Sequence, residues 1–304
     1  MERTMIDDNV LRPGRLLFTT AILCLLLPFN GYSRAPIALY SAPESFLYDE
    51  AENTYFISNV NGSPSAKDNN GYIVRLNADL KPLEPKFIGG GKGGVTLNAP
   101  KGMAIVAGRL FVTDINHVRV FDKKTARSLK NISLKKFGAK FLNDVAADDK
   151  GRIYVSDTAG NAIFRIEIAD GKDTVTQWKK SDELGGPNGL VYDRTEEHLV
   201  VVCFGSGRIL RLDQQGNIVQ QIDKGLKQLD GVDLDSEGNL IFSSFGSGKI
   251  YRLDRQGRLE IIAENLKTPA DISVDRKHDR VLVPLMSVDS INTIKLGKKT
   301  AQPD

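Results

Sequence analysis

The chain has few of the residues that many enzymes use for thiol or imidazole chemistry, and it carries little net charge. Its 304 residues include two cysteines, three histidines and one tryptophan, and the formal net charge is +3. His117, His198 and His278 are far apart in the sequence, so neither a Ser-His-Asp arrangement nor a histidine metal cluster is predicted. The lysines and arginines are scattered along the sequence. They form neither a basic stripe nor a recognised nucleic-acid-binding motif, which argues against a nucleic-acid partner.

An apolar segment near the N-terminus differs in kind from the rest of the chain. Arg12 and Arg15 precede an apolar run over residues 16–29, which is short for a membrane span but suits the core of a secretory signal. We predict a signal peptide over residues 1–35, cleaved near residues 31–35, with an uncleaved membrane anchor as the alternative. Cys24 would leave with the signal, so Cys203 could form no intramolecular disulfide. This pattern predicts a periplasmic or secreted protein, or a membrane-anchored one if the segment stays.

One short motif recurs six times, each time followed by a turn, an apolar run, a second turn and another apolar run. A period of roughly 40–50 residues built from strand-like segments is typical of a β-propeller, in which each repeat forms a four-stranded blade. The copies begin at Pro43-Glu44-Ser45-Phe46, Pro100-Lys101-Gly102-Met103, Leu142-Asn143-Asp144-Val145, Pro187-Asn188-Gly189-Leu190, Leu229-Asp230-Gly231-Val232 and Pro269-Ala270-Asp271-Ile272. The sequence therefore predicts an all-β, six-bladed propeller with four antiparallel strands per blade over residues 36–297, and a short polar tail over residues 298–304.

The two ends of the repeat region indicate how the ring would close. The sixth repeat supplies three strands before the chain ends, and residues 36–40 precede the first motif as a fourth strand precedes each later one. We therefore expect the N-terminal strand to complete the sixth blade, which would remove an exposed sheet edge.

Two columns of residues are predicted to lie side by side at one rim, because the start of strand one and the end of strand two meet there in an antiparallel blade. The second motif position forms the axial column: Glu44, Lys101, Asn143, Asn188, Asp230 and Ala270. The ends of the second strands form the rim column: Asn59, Asp114, Asp157, Cys203, Ser244 and Leu285. Equivalent residues of a propeller point toward its central axis, so the axial column is predicted to carry function.

Four members of the axial column are side-chain oxygen donors. Two carboxylates, Glu44 and Asp230, and two amides, Asn143 and Asn188, make a set of formal charge −2 that suits Ca²⁺, or Mg²⁺ and Mn²⁺ with added waters. The alternative is that these polar side chains hold a file of buried waters along the axis.

The repeats resemble the senescence-marker-protein, gluconolactonase and luciferin-regenerating (regucalcin-like) family of six-bladed propellers over about residues 37–296. The resemblance rests on Pro43-Glu44, Asn143-Asp144, Pro187-Asn188-Gly189-Leu190, and Leu229-Asp230-Gly231-Val232-Asp233 with its hairpin Asp235-Ser236-Glu237-Gly238-Asn239. It implies that Glu44, Asn188 and Asp230 ligate a divalent metal, that Asn143 helps to hold substrate or metal, and that the protein hydrolyses lactones. From the donor set, Ca²⁺ is the first candidate for this metal, with Mg²⁺, Mn²⁺ or Zn²⁺ as the alternatives.

The mechanism implied by this resemblance is metal-assisted ester hydrolysis. The ion would polarise the lactone carbonyl and lower the pKa of a bound water, and Asp230 would also act as general base. Asp144 and Asp157 are candidates to orient the ligands, although each can equally be a turn or rim residue.

The sequence departs from the family pattern at two positions that matter for the substrate. Family sugar lactonases carry an Arg two residues before the third-blade Asn, where this chain has Phe141, and Val145 replaces the Gly that follows Asn-Asp. Both changes favour a more apolar substrate.

Three roles are open for the axial-column residue Lys101. It pairs with Glu44 or Asp230 in place of a metal, it stabilises the developing oxyanion or the product carboxylate as a catalytic residue, or it bends into solvent.

We therefore predict an exported, metal-dependent hydrolase of small-molecule lactones or related esters. The alternative is a non-catalytic propeller that binds a peptide, a glycan or a protein partner at its rim. The sequence indicates no membrane association beyond the N-terminal segment.

Overall fold

The computed structural model describes residues 38–169 and 172–297, and in that part of the chain six antiparallel sheets follow one another along the sequence. Five sheets have four strands and the sixth has three, each in consecutive meander order. The first strands of neighbouring sheets contact one another, including those of sheets one and six, so the sheets form a closed ring. The six-bladed propeller predicted from the repeats is confirmed.

The strands follow the apolar runs of the repeats. Blades one to three consist of β1 (Pro43–Asp49), β2 (Thr54–Asn59), β3 (Tyr72–Leu76), β4 (Pro82–Gly89), β5 (Pro100–Val106), β6 (Arg109–Asp114), β7 (His117–Asp122), β8 (Ser128–Ser133), β9 (Leu142–Ala147), β10 (Ile153–Asp157), β11 (Ala162–Ala169) and β12 (Lys172–Lys180). Blades four to six consist of β13 (Pro187–Asp193), β14 (His198–Cys203), β15 (Ile209–Leu212), β16 (Ile218–Ile222), β17 (Leu229–Leu234), β18 (Leu240–Ser244), β19 (Lys249–Leu253), β20 (Leu259–Ala263), β21 (Ser273–Asp275), β22 (Arg280–Leu285) and β23 (Ser290–Lys295). Three single 3-10 turns interrupt the connections: Lys135–Phe137, Asp182–Leu184 and Met286–Val288.

The hydrophobic core lies between neighbouring blades rather than inside any one sheet. Phe111 and Val118 of blade two, for example, share a buried cluster with Val155 and Phe164 of blade three. Because both faces of an inner strand are covered in this arrangement, β2 is buried at every position, whereas the outer strand β20 is half-buried or exposed. Aromatic and β-branched residues suit such two-sided burial, which explains why the inner strands are rich in them.

Asp and Gly fix the tight hairpins between strands. In the turn between β17 and β18, the Asp235 carboxylate accepts hydrogen bonds from the N–H groups of Glu237 and Asn239, each at 2.9 Å. Gly238 in the same turn has φ of 78°, a left-handed conformation that costs glycine little. These local turns set the strand register, and thereby place the residues of the axial column at one level.

The N-terminal closing strand that the sequence predicts is not formed at residues 38–40, which have no strand structure. The chain turns there, because Ala42 has φ of 47° and its N–H donates to Asp289 Oδ1 at 2.6 Å. Leu39 and Tyr40 instead pack against the core between blades six and one. The ring closes through the first strands: the N–H of Asp271 donates to the Glu44 carbonyl at 2.9 Å.

The signal peptide predicted over residues 1–35, residues 36–37 of the predicted closing strand, and the tail over residues 298–304 lie outside the described residues. Within the described part, no helix has the length and hydropathy needed to cross a bilayer.

Candidate functional site

The end of strand two pairs with the start of strand one at the same place in every blade. The paired residues are Pro43 with Asn59, Pro100 with Asp114, Leu142 with Asp157, Pro187 with Cys203, Leu229 with Ser244 and Pro269 with Leu285. Each axial-column residue follows the first member of such a pair. The two columns therefore lie side by side at one rim, as the antiparallel order predicts.

A buried hydroxyl group fixes the backbone of the axial column between blades. Ser156 accepts a hydrogen bond from the N–H of Asp144 at 2.9 Å, and donates to the Asn188 carbonyl of the next blade at 2.7 Å. Ser243 does the same between the N–H of Gly231 and the carbonyl of Ala270, at 2.8 Å each.

The equivalent hydroxyls in blades one and two make one half of this bridge each. Ser58 accepts from the N–H of Ser45 at 2.9 Å, and Thr113 donates to the Asn143 carbonyl. These hydroxyl residues were not predicted as part of the site, although a Ser or Thr stands one position before the rim column in these four repeats.

The four predicted oxygen donors are buried, and each has an oxygen atom without a partner. The exposed fractions of Glu44, Asn143, Asn188 and Asp230 are between 2% and 5%. Within the described residues, Glu44 Oε2, Asn143 Oδ1, Asn188 Oδ1 and Asp230 Oδ1 accept no hydrogen bond. A buried polar atom left in this state costs roughly 1–3 kcal/mol. Four such atoms stand at equivalent positions of one ring, where a shared ion or a file of buried waters would satisfy them.

The two carboxylates of this set lie in a strongly unfavourable electrostatic environment. Burial raises the pKa of Glu44 well above its usual range, and the nearby Asp230 and Asp271 raise it further. Burial also raises the pKa of Asp230, with Asp271 contributing in the same direction. Asp271 follows Ala270 of the axial column, and it was not predicted as a site residue from the sequence. A bound cation would stabilise the charged form of all three groups.

The donor chemistry fits a hard divalent cation. Among residues 38–169 and 172–297, no group of three or more His, Cys, Asp or Glu side chains is arranged to hold a metal. A site at the axis therefore depends on the two amide oxygens as well as the two carboxylates. Oxygen-only coordination of this kind suits Ca²⁺, or Mg²⁺ and Mn²⁺ with waters, better than Zn²⁺.

Lys101 is buried beside the four oxygen donors, and it is neither paired with a carboxylate nor exposed at the surface. It is 1% exposed, and its Nζ donates to the carbonyls of Pro64 and Ala99 at 3.0 Å each. Nζ also lies 4.4 Å from the centre of the Phe141 ring. Within the described residues it forms no ion pair, so two of the three alternatives for Lys101, pairing with Glu44 or Asp230 and exposure to solvent, are not observed. Burial lowers the pKa of Lys101 to about 8, although Glu44 acts to raise it.

Asp157 and Asp144 both hold backbone N–H groups. Asp157 accepts from Lys140 and Phe141, at 2.9 and 2.7 Å, and so fixes the connection that carries the Phe141 ring. Asp144 accepts from Val145 and from Leu190 of the next blade, each at 2.6 Å. Both carboxylates therefore position the strand starts from which the donors project.

A cavity of about 720 Å³ opens at the other end of the axis. Its lining begins one or two residues beyond the axial column, for example at Ser45, Asp144 and Leu190, and it contains none of the four donors themselves. The carboxylates of Asp144 and Asp233 in its wall already cap backbone N–H groups of neighbouring blades. The cavity thus reaches toward the donor set, and these two carboxylates in its wall stabilise the fold.

Comparison with protein families supports the resemblance inferred from the motifs. Residues 107–228 match the family described as the SMP-30/Gluconolactonase/LRE-like region. The expected family resemblance, predicted over about residues 37–296, is confirmed over this segment. Asn143 and Asn188 lie within the matched segment, and Glu44 and Asp230 lie outside it. No curated protein shows significant sequence similarity to the chain.

Solved structures share the fold at low sequence identity. A catalytically inactive virginiamycin B lyase from Staphylococcus aureus with quinupristin is 15% identical, with a TM-score of 0.58 over 86% of this chain and 97% of that one. A protein of unknown function from Bacteroides thetaiotaomicron is 15% identical, with a TM-score of 0.61 over 83% and 70% of the two chains. An auxiliary nutrient binding protein from the same organism is 10% identical, with a TM-score of 0.63 over 84% and 69%. These similarities show the propeller fold alone.

Proposed function

We propose that the protein is a metal-dependent hydrolase of lactones or related esters, with one divalent cation held at the propeller axis. The observation that carries this proposal is the set of four buried, unpartnered oxygens on Glu44, Asn143, Asn188 and Asp230. The family match, which includes gluconolactonase-like proteins, supports a hydrolase of this kind. Ca²⁺ is the first candidate for the ion, because two carboxylates and two amide oxygens are hard ligands.

The side chains around the axis have distinct tasks in this reaction. When bound, the metal would supply Lewis-acid polarisation of the ester carbonyl and a lowered pKa for a coordinated water. Asp230 would also act as the general base that accepts the proton of the attacking water. Two of the three N–H groups of Lys101 are engaged by carbonyls, so the third can donate to the oxyanion or the product carboxylate.

The proposed place of this reaction is the periplasm or the outside of the cell. The apolar run over residues 16–29 with two preceding arginines supports export. A measurement of the N-terminal residue of the protein purified from a secreting host tests this point. A start between residues 31 and 36 is expected, and an intact Met1 in a membrane fraction would indicate an anchor instead.

Thermal unfolding in EDTA and then in excess Ca²⁺ tests the metal. At 100-fold excess over Kd, the ion should stabilise the native state by about 2.7 kcal/mol. Asp230→Asn keeps the shape of the side chain and should remove both this shift and the hydrolysis of a lactone panel. Asp213→Asn, in an exposed hairpin, is the matched control and should leave both unchanged. A wild-type protein that neither shifts with Ca²⁺, Mg²⁺, Mn²⁺ or Zn²⁺ nor hydrolyses any ester would overturn the proposal.

One contact favours the alternative of a non-catalytic propeller that binds a partner at its rim. The bond from Lys101 to the Pro64 carbonyl ties the connection between β2 and β3 across one side of the axis. In that case chelation changes neither stability nor binding, and Asp230→Asn behaves like Asp213→Asn.

A further inference from the structure

A second ring of residues lies outside the donors at the same end of the axis. We call it the upper collar, and it consists of the residue that follows the rim column in each blade: Val60, Ile115, Thr158, Phe204, Phe245 and Met286. In five blades the N–H of this residue donates to the carbonyl just before the motif; in blades four and five these bonds join Phe204 to Gly186 at 2.8 Å and Phe245 to Gln228 at 2.9 Å. The collar is therefore a regular feature of the ring, set by backbone geometry.

The collar is apolar in five of its six positions, and its two aromatic residues lie on blades four and five. Val60 and Ile115 are buried in a small cluster against which Met286 packs. Phe204 and Phe245 are half-buried, and their ring centres lie 6.0 Å apart across the gap between their blades. Neither ring belongs to a hydrophobic cluster of the described residues. Core packing therefore does not explain why two aromatic residues stand here.

The backbone positions of these two rings lie near those of two donors. The N–H of Phe204 donates to the Gly186 carbonyl, and Gly186 lies two residues before Asn188. In the same way, the N–H of Phe245 donates to the Gln228 carbonyl, and Gln228 lies two residues before Asp230. At the rise of a β-strand, two residues correspond to about 7 Å. An ester carbonyl held at the donors would thus place its substituent against the rings, on the side of the axis opposite the Lys101–Pro64 contact.

The chemistry of the collar selects against a polyhydroxylated substrate. The Thr158 hydroxyl is already engaged with the Pro187 carbonyl at 2.8 Å, and Phe141 offers no hydrogen bond. Sugar hydroxyls desolvated here without partners would weaken binding. We propose, on the basis of the function proposed above, that Phe204 and Phe245 select a lactone or ester with a hydrocarbon substituent, such as an alkyl or aromatic group, rather than a sugar lactone.

A series of γ-lactones with alkyl substituents from methyl to octyl tests this inference, with glucono-δ-lactone as the polar comparison. In the full chain, kcat/KM should rise about fourfold per added methylene, the factor expected for burying one CH₂ group. Phe204→Ser with Phe245→Ser should reduce this factor to below about twofold. Tyr192→Ser is the matched control, because Tyr192 is a half-buried aromatic residue of the cavity at the other end of the axis, and it should keep the wild-type factor.

A binding measurement separates the collar from catalysis. The corresponding alkyl γ-lactams are not hydrolysed, and their dissociation constants in EDTA should decrease with chain length for the wild type and for Tyr192→Ser, but not for the double variant. A double variant that keeps the chain-length dependence, or a wild type that prefers glucono-δ-lactone, would overturn the inference. Lactams that bind as expected to a wild type that hydrolyses no ester would overturn the proposed reaction instead. Melting temperatures of all variants confirm that they are folded.

Discussion

Replacing Tyr55 by Phe should weaken the junction between blades six and one, where the ring closes. The Tyr55 hydroxyl on β2 donates to Asp275 Oδ2 on β21 at 2.7 Å and accepts a hydrogen bond from Arg280 on β22. Tyr55 and Asp275 are fully buried, so water cannot readily replace these bonds. The residues are more than 200 positions apart in the sequence, and the bonds therefore join the two ends of the repeat region.

The size of the effect follows from what remains after the hydroxyl is removed. Asp275 keeps Arg280 Nε at 3.0 Å and His278 Nδ1 at 2.8 Å, so its charge stays compensated. The loss is one strong hydrogen bond to a carboxylate and one from a guanidinium, for which we expect about 2 kcal/mol in total. In a protein of this size that corresponds to a fall in melting temperature of about 4–8 °C, measured by circular dichroism.

Tyr154→Phe is the matched control, because Tyr154 is likewise a buried tyrosine in the second strand of its blade, β10, but bonds within its own blade. Its hydroxyl donates to Asp148 Oδ2 at 3.2 Å, a weaker bond than that of Tyr55. We expect a loss of roughly 1 kcal/mol and about 2–4 °C. The reasoning is refuted if Tyr55→Phe melts within about 1 °C of the wild type, or if Tyr154→Phe is the more destabilising change.

Three further predictions concern the same ring. A chain that starts at Ala42 should melt below one that starts at residue 36, because it lacks two side chains packed on the closing core; equal melting temperatures would contradict this. Lys101→Met should tighten Ca²⁺ binding in a calorimetric titration, since it removes a cation that interacts with Glu44; an unchanged or weaker affinity would argue against an axial ion. Burial raises the pKa of Asp275, but hydrogen bonds from Tyr55, His278 and Arg280 outweigh burial and lower it below its usual range. The stability from Asp275 is therefore present above about pH 4 and is lost as the pH falls through the lowered pKa; Tyr55→Phe should move this acid loss to higher pH, and an identical acid profile would count against the assignment.

The sequence was sufficient to predict the parts of the structure that repeat. Turn residues and apolar runs recur in each copy, so the blades, and the alignment of Asn188 and Asp230 at one rim, follow from local signals. The Ser and Thr residues that supply the bridging hydroxyls, of which Ser156 is one, recur in the repeats. Their role could not be predicted, because it depends on the distance between neighbouring blades.

Features that depend on non-repeating segments could not be predicted. The direction of Lys101 is set by the Pro64 carbonyl, which belongs to a loop 37 positions away that has no counterpart in other blades. The N-terminal strand was expected from sequence order alone, whereas the observed turn depends on the contact between Ala42 and Asp289, 247 positions apart. Long-range contacts of this kind leave no local pattern.

Calorimetric titration of Ca²⁺ into EDTA-treated protein tests the axial metal most directly. The four unpartnered oxygens predict one saturable site per chain, abolished by Glu44→Gln and by Asp230→Asn and retained in Asp213→Asn. Absence of saturable binding for Ca²⁺, Mg²⁺, Mn²⁺ and Zn²⁺, or a site that persists in Asp230→Asn, would contradict the proposal of a divalent ion at the propeller axis.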